Sequence, residues 1–282
     1  MDDSQFHQTA RRLGRLVEPI AAGVYFAPEA MERYGALGLS YVEGYFCSRG
    51  GCLGTAPWTV ICAAFGAFNP AIVQPAVTEG WKKTDPDAVL AARLDGATAQ
   101  LTRLIGEPTR DVERATEILY SLTETVDPSG RGLHSGLRAL PRPDSPMGAL
   151  WRAADLVREH RGDGHVAAWL PSFDSTEITV LTEHYWGIPP RTYVFTRGWD
   201  AADVDAAYTR LEARGLIADG TLTPDGAEAR EEVERATDRA ARAPVENLGD
   251  RAEELFGLLT PMARAIVDGG GYPVDPSTLA RR

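Results

Sequence analysis

The densest group of chemistry-bearing side chains in the sequence is Glu159-His160-Arg161-Gly162-Asp163-Gly164-His165, set between apolar helical stretches. Two histidines, two carboxylates and an arginine at a helix break can supply a general acid/base pair with a guanidinium to hold an anion. On that reading His160, Asp163 and His165 are the catalytic candidates and Arg161 a ligand contact. The same three residues could hold a metal ion instead, but no second ligand cluster accompanies them, so neither a metal nor a cofactor is expected. The glycines flanking Asp163 permit close approach of a ligand. A structural reading competes: Asp163 caps the next helix while His160 and Arg161 satisfy the carbonyls ending the previous one.

A second group centres on Arg49, in Ser48-Arg49-Gly50-Gly51-Cys52. A glycine-rich turn ahead of a helix can present N–H groups and a guanidinium to a carboxylate or phosphate. It is not a dinucleotide fingerprint, because no strand precedes it and the glycine spacing differs. Tyr25, Tyr45, Trp58 and Phe65 lie around it and can line an apolar pocket, although aromatics at helical spacing also build plain core. Cys47, Cys52 and Cys62 match no zinc module and read as reduced, buried thiols. His7, His134 and His184 look isolated and receive no role. There is no G-x-S-x-G motif and no P-loop.

The elements that must position these groups are helical. Residues 5–18 carry Phe6, Ala10, Leu13, Leu16 and Val17 on one side of a helix that Pro19 interrupts. Further helices are expected from Pro28 to Gly38, over the apolar run after Pro57, from Pro70 to Trp81, from Pro86 to Ile105 and over 110–125. Between Val126 and Met147 proline and glycine are frequent and periodicity fades, which marks a linker. Beyond it come a helix broken near Gly162, one from Ser175, a long one over 224–242, and a last one kinked at Pro261. The fold class is therefore all-α with one small β-hairpin. The division expected is a helical domain over 1–140 and a second domain over 141–282.

With 282 residues and 44% apolar content the chain can bury a sizeable core. Its net charge of −11, with Lys82 and Lys83 as the lysines, argues against broad phosphate binding. No leader and no apolar run of membrane-spanning length is visible, so a cytoplasmic location is expected.

From Thr196 to Val233 the text reads helix, short hairpin, helix. Val204, Ala207, Tyr208 and Leu211 form the apolar stripe of the first helix, and Gly215 ends it. Asp219-Gly220 turns the hairpin, and Thr223 caps a helix with Pro224 at its first position. The stretch resembles the MarR-type winged helix, whose second half has the same order. The whole chain, through VYFAPEA, SRGG, FGAFNP, REHRGDGHVAA and TRGW, also resembles a family of actinobacterial proteins about this long that are described only as helix-turn-helix or MarR-like. Phe46–Ala64 and Phe195–Leu211 share a hydroxyl-Arg-Gly turn before an apolar-faced helix, so a duplicated, degenerate unit in the N-terminal half stands beside chance similarity.

A DNA-reading helix should offer basic or amide side chains. Here the surface offers Asp200, Asp203, Asp205, Thr209, Arg210 and Glu212, and the wing has no basic residue. DNA is therefore an unfavoured partner. The leading expectation is a metabolite-binding protein on a winged-helix scaffold, with or without acid/base turnover. Its setting, implied by the resemblance and a lysine-poor composition, is natural-product metabolism or self-resistance. A ligand-responsive DNA-binding regulator is the alternative, and a homodimer is compatible with both.

Overall fold

The structure is a computed structural model that describes residues 2–273. Most helices begin where a short polar side chain takes up the free N–H groups of the first turn. Asp2 caps α1 (Asp3–Ala22), α2 (Pro28–Ala36) begins on a proline, and Ser40 with Glu43 closes a capping box on α3 (Tyr41–Gly50). α4 (Trp58–Phe65) follows Pro57. α5 (Pro70–Gly80) and α6 (Pro86–Ile105) carry Asn69 and Asp85 as caps and proline at the first position, where the missing N–H costs nothing. Next come α7 (Arg110–Thr123), the short α8 (Gly132–Arg138) and the longest helix, α9 (Pro146–Trp169).

α10 (Ser175–Trp186), the single turn α11 (Tyr193–Thr196) and α12 (Ala201–Ala213) lead into an antiparallel hairpin of β1 (Ile217–Ala218) and β2 (Thr221–Leu222). Asp219 and Gly220 both take positive φ, 51° and 71°, as a tight two-residue turn requires. Asp200 caps α12. α13 (Pro224–Ala240), capped by Thr223, then α14 (Arg242–Leu248) and α15 (Ala252–Asp268) complete the described chain. The protein is thus mainly α with one small hairpin. Among the described residues no helix is long and apolar enough to cross a membrane.

Three local expectations are corrected. α1 runs through Pro19; the roughly 3 kcal/mol that an interior proline costs is offset by burying Ile20, Ala21 and Ala22 in the main core. Ser48, Arg49 and Gly50 of the SRGG segment are the last turn of α3, and Gly51 opens a 3-10 turn, so the segment is not a loop before a helix. Gly50 is small because α4 packs against it: a Cβ there would lie 2.3 Å from Ile61 Cδ1. The break at Gly162 does not exist, since α9 is continuous through both glycines. A Cβ on Gly164 would meet Ala240 Cβ at 2.8 Å, so this glycine admits the end of α13 and does not end a helix.

α9 spans 24 residues, about 36 Å at 1.5 Å per residue. It is packed on by α1, α6, α7, α8 and α13. The largest apolar core joins α1, α2, α6, α7, α9 and α15, and so draws on both sides of residue 140. The expected linker between Val126 and Met147 contains α8, whose Leu133, His134 and Leu137 are buried. A second core joins α3–α5 and Leu133 of α8, and a third joins the end of α9 to α10–α13 and the hairpin.

Candidate functional site: the polar faces of the central helix

A helix turns about 100° per residue. His160 and Asp163 therefore lie about 60° apart on α9, whereas His165 points about 140° away from His160. The contacts agree with that geometry. The His134 and His160 rings meet edge to face at 5.1 Å, and Asp163 Oδ2 accepts the His134 backbone N–H at 3.0 Å. His165 Nδ1 instead lies 2.9 Å from Thr237 Oγ1 on α13. Thr237 spends its own proton on the Val233 carbonyl, so the histidine donates to it. The three catalytic candidates do not converge. Among the described residues no group of three His, Cys, Asp or Glu side chains is placed to hold a metal ion.

The electrostatics of this face favour architecture over proton transfer. Burial lowers His134 to about 4 and His160 to about 3, so both rings are neutral near pH 7. Burial, with a weak like-charge push from Glu159, raises Asp163 to about 6 against the backbone N–H groups it accepts. Those N–H groups belong to the first turn of α8, which has no cap of its own. Asp163 thus caps an upstream helix across space, not the following helix in sequence.

Another face of α9 collects most of the expected ligand contacts. Arg49 Nε and Nη2 donate to Glu159 Oε1 and Oε2 at 2.9 and 2.8 Å, a two-point fork, and Arg158 Nη1 adds a bond of 2.7 Å to Oε1. Burial alone would raise the Glu159 carboxyl, but Arg49 and Arg158 hold it down at about 2. Arg49 lies 4.3 Å over the Phe65 ring and 3.4 Å from the Tyr45 hydroxyl, and Tyr45 stacks 4.8 Å from Tyr25. Arg49, Tyr25, Tyr45 and Phe65 are therefore one cluster. Trp58 sits partly buried on the α3–α5 core. Arg161 faces α13, donating to Asp238 at 2.8 Å and Glu234 at 3.3 Å.

Several members of these networks were not reached from the sequence. Arg93 Nη2 donates to the Tyr25 hydroxyl at 2.9 Å and lies 3.3 Å from Asp155, with both charged partners buried. His134, read as isolated, is the neighbour of His160. The available signal was the spacing Asp155, Glu159, Asp163, which places carboxylates along one side of a helix. Their partners come from distant elements, with no local mark. Burial raises the Cys47 and Cys52 thiols to about 12, which makes both unreactive.

The model of a helix-turn-helix family matches residues 10–273. The chain belongs to that helix-turn-helix family. Neither a curated protein nor a solved structure matches it. Arg210 is tied to Asp174 and Glu177, Arg214 to Glu177, and Arg191 to Asp205. The turn leading into α12 is covered by the segment between α4 and α5. Asn69 donates through its backbone N–H to Arg197 O at 2.9 Å and through Nδ2 to Gly198 O at 3.1 Å. Trp199 Nε1 donates to Ala67 O at 3.0 Å, and Ser175 Oγ donates to Gly66 O at 2.7 Å.

Proposed function

We propose that this helix-turn-helix protein is a DNA-binding regulator whose reading unit is a winged helix of MarR-like order. In it α10, α11 and α12 are the helical part and β1–β2 the wing. The observation that carries this reading is the family match over residues 10–273, and the succession of three helices, hairpin and long helix supports it. The buried polar groups of α9 support scaffold over turnover, because the Arg49 fork is already spent on Glu159 and His165 turns to Thr237, away from His160 and Asp163 beside His134. We place the functional division of the chain near the end of α9, where the third apolar core begins, instead of at 140/141. A duplicated unit is supported locally, since both Phe46–Ala64 and Phe195–Leu211 are helix, turn, helix.

A recognition helix enters the major groove with its N-terminal residues against base edges. Here the turn just before them is tied to Asn69 through Arg197 O and Gly198 O, while Ala201, Ala202 and Asp205 at the start of α12 are exposed. The second reading is a metabolite-binding protein that kept the scaffold and lost DNA. The charge of α12 favours it, because exposed Asp205 and Glu212 oppose phosphates.

Fluorescence anisotropy at low salt, on DNA from upstream of the coding sequence, separates the two. The regulator reading expects weak but sequence-selective binding that weakens in Asn69→Ala, which cuts the side-chain tie to Gly198 that holds the turn into α12. Absence of selective binding by both proteins would reject the regulator and leave the second reading.

A further inference from the structure

On the flank of α9 turned toward α7 and α8 lies a cavity of about 170 Å³. At about 30 Å³ per water molecule it holds about five or six waters' worth of volume, the size of a phosphate or a short-chain acid. Its inner wall carries Arg152, a side chain of a residue only 5% exposed. Arg152 Nε and Nη1 are buried with no protein group in hydrogen-bond reach. The nearest opposing charge, Asp155, is already engaged by Arg93. A guanidinium does not lose its proton in a protein, so this position keeps a full, unmatched positive charge.

The surroundings repeat the same preference. The Tyr120 hydroxyl, on the same cavity, is also buried without a partner. Arg138 spends a donor on the Val126 carbonyl at 2.7 Å, and Arg142 pairs at the rim with Glu124 while its guanidinium lies 4.0 Å over the Tyr120 ring. Three arginines thus face one carboxylate, in a protein whose net charge is −11. Leu137, Leu140 and Leu156 supply the apolar remainder of the wall. Leaving a buried charge unmatched is costly, and a bidentate oxyanion is the group that a guanidinium fork matches best.

We propose that Arg152, with Tyr120, Arg138 and Arg142, forms a binding site for a small oxyanion, either phosphate or the carboxylate of a short aliphatic acid. The oxyanion accepts from the Arg152 fork and the Tyr120 hydroxyl, and the leucines receive the carbon chain of an acid. The site stands on its own geometry and does not depend on DNA binding.

Thermal shift and calorimetric titration on the full chain test it, with sodium phosphate and sodium butyrate as probes and sodium chloride at matched ionic strength as the control. A saturable rise in Tm with one probe or both is expected, and which probe acts identifies the source of the oxyanion. Arg152→Met, which removes an unmatched buried charge, is expected to fold and to weaken the affinity by about tenfold or more. Tyr120→Phe keeps the ring and removes the hydroxyl, with a loss of about fivefold. If Arg152→Met does not fold, Tyr120→Phe decides. No saturable response to either probe, or an affinity unchanged in the variant that decides, would overturn the site.

Discussion

Arg49 and Arg152 are two buried guanidinium groups beside one helix, and their surroundings differ in kind. Arg49 comes from α3 and meets Glu159 with both arms of its fork, while Arg158 matches the same carboxylate from the side. Arg152 lies on α9 itself, about two turns earlier, and has no such partner. The first arrangement is closed: charge, donors and acceptors are consumed inside the protein. The second leaves donors unpaired, on a residue that lines a cavity. Burial of an arginine is therefore not the mark of a ligand site, but burial without a counter-charge is. The sequence points to Arg49 as an anion anchor; its fork is taken up by Glu159, and the anchor proposed above is Arg152.

Glu159→Ala is the largest test of the contrast. It strands Arg49 as a buried cation, while Arg158 keeps Glu18 at 3.0 Å, and should cost about 3–5 kcal/mol of stability. Arg152→Met strands nothing and should change stability by less than about 1 kcal/mol, in either direction. Urea denaturation of both variants measures the difference. If the two losses are equal, the distinction between a closed and an open arginine is void.

How much of this was readable in the sequence follows from the range of each interaction. The helix starts at Asn69-Pro70, Asp85-Pro86 and Thr223-Pro224 and the Asp219-Gly220 turn depend on neighbours within four residues, and each stands where the text places it. The polar cluster on α9 was found, but its roles were not, because each partner comes from another element. Arg49 is 110 residues from Glu159, and His134 is 29 residues from Asp163. The glycines misled for the same reason. Gly50 and Gly164 look like chain breakers, yet they are small because Ile61 and Ala240 press on them.

A middle-sized effect concerns the closed side of the molecule at Asp163. Its pKa in the folded protein, about 6, lies above the ordinary 3.8. The stability it contributes is thus fully present below the unfolded value and is lost as the pH rises through 6. The buried histidines have the opposite sign: with folded values of about 4 and 3, His134 and His160 cost stability as the pH falls below 6.5. Asp163→Asn keeps an oxygen for the α8 N–H groups and removes only the first dependence. Relative to the wild type it should gain about 1 kcal/mol between pH 5 and pH 7.5, since one pKa unit is worth about 1.4 kcal/mol. Equal pH slopes for the two proteins, from denaturation at both values, would show that Asp163 does not titrate as a buried carboxyl.

A last test separates two glycines of α9 that the sequence cannot tell apart. A Cβ on Gly162 meets only Glu159 Oε2, at 3.4 Å, an ordinary contact. Gly162→Ala therefore gains helix propensity and should stabilise by up to about 1 kcal/mol. On Gly164 the Cβ would lie 2.8 Å from Ala240 Cβ and 3.0 Å from Arg131 Nη1. Arg131 itself donates to the His160 carbonyl at 2.6 Å, so it is not free to withdraw. Gly164→Ala should push α13 off the central helix and cost about 1–3 kcal/mol. Because α13 follows the hairpin directly, that displacement should also disturb the packing of α12, which tryptophan fluorescence at Trp199, anchored to Ala67, can follow. A stabilising Gly164→Ala would mean that the approach of α13 to α9 is looser than described, and that the helix-turn-helix unit is not braced by the same closed packing that holds Glu159.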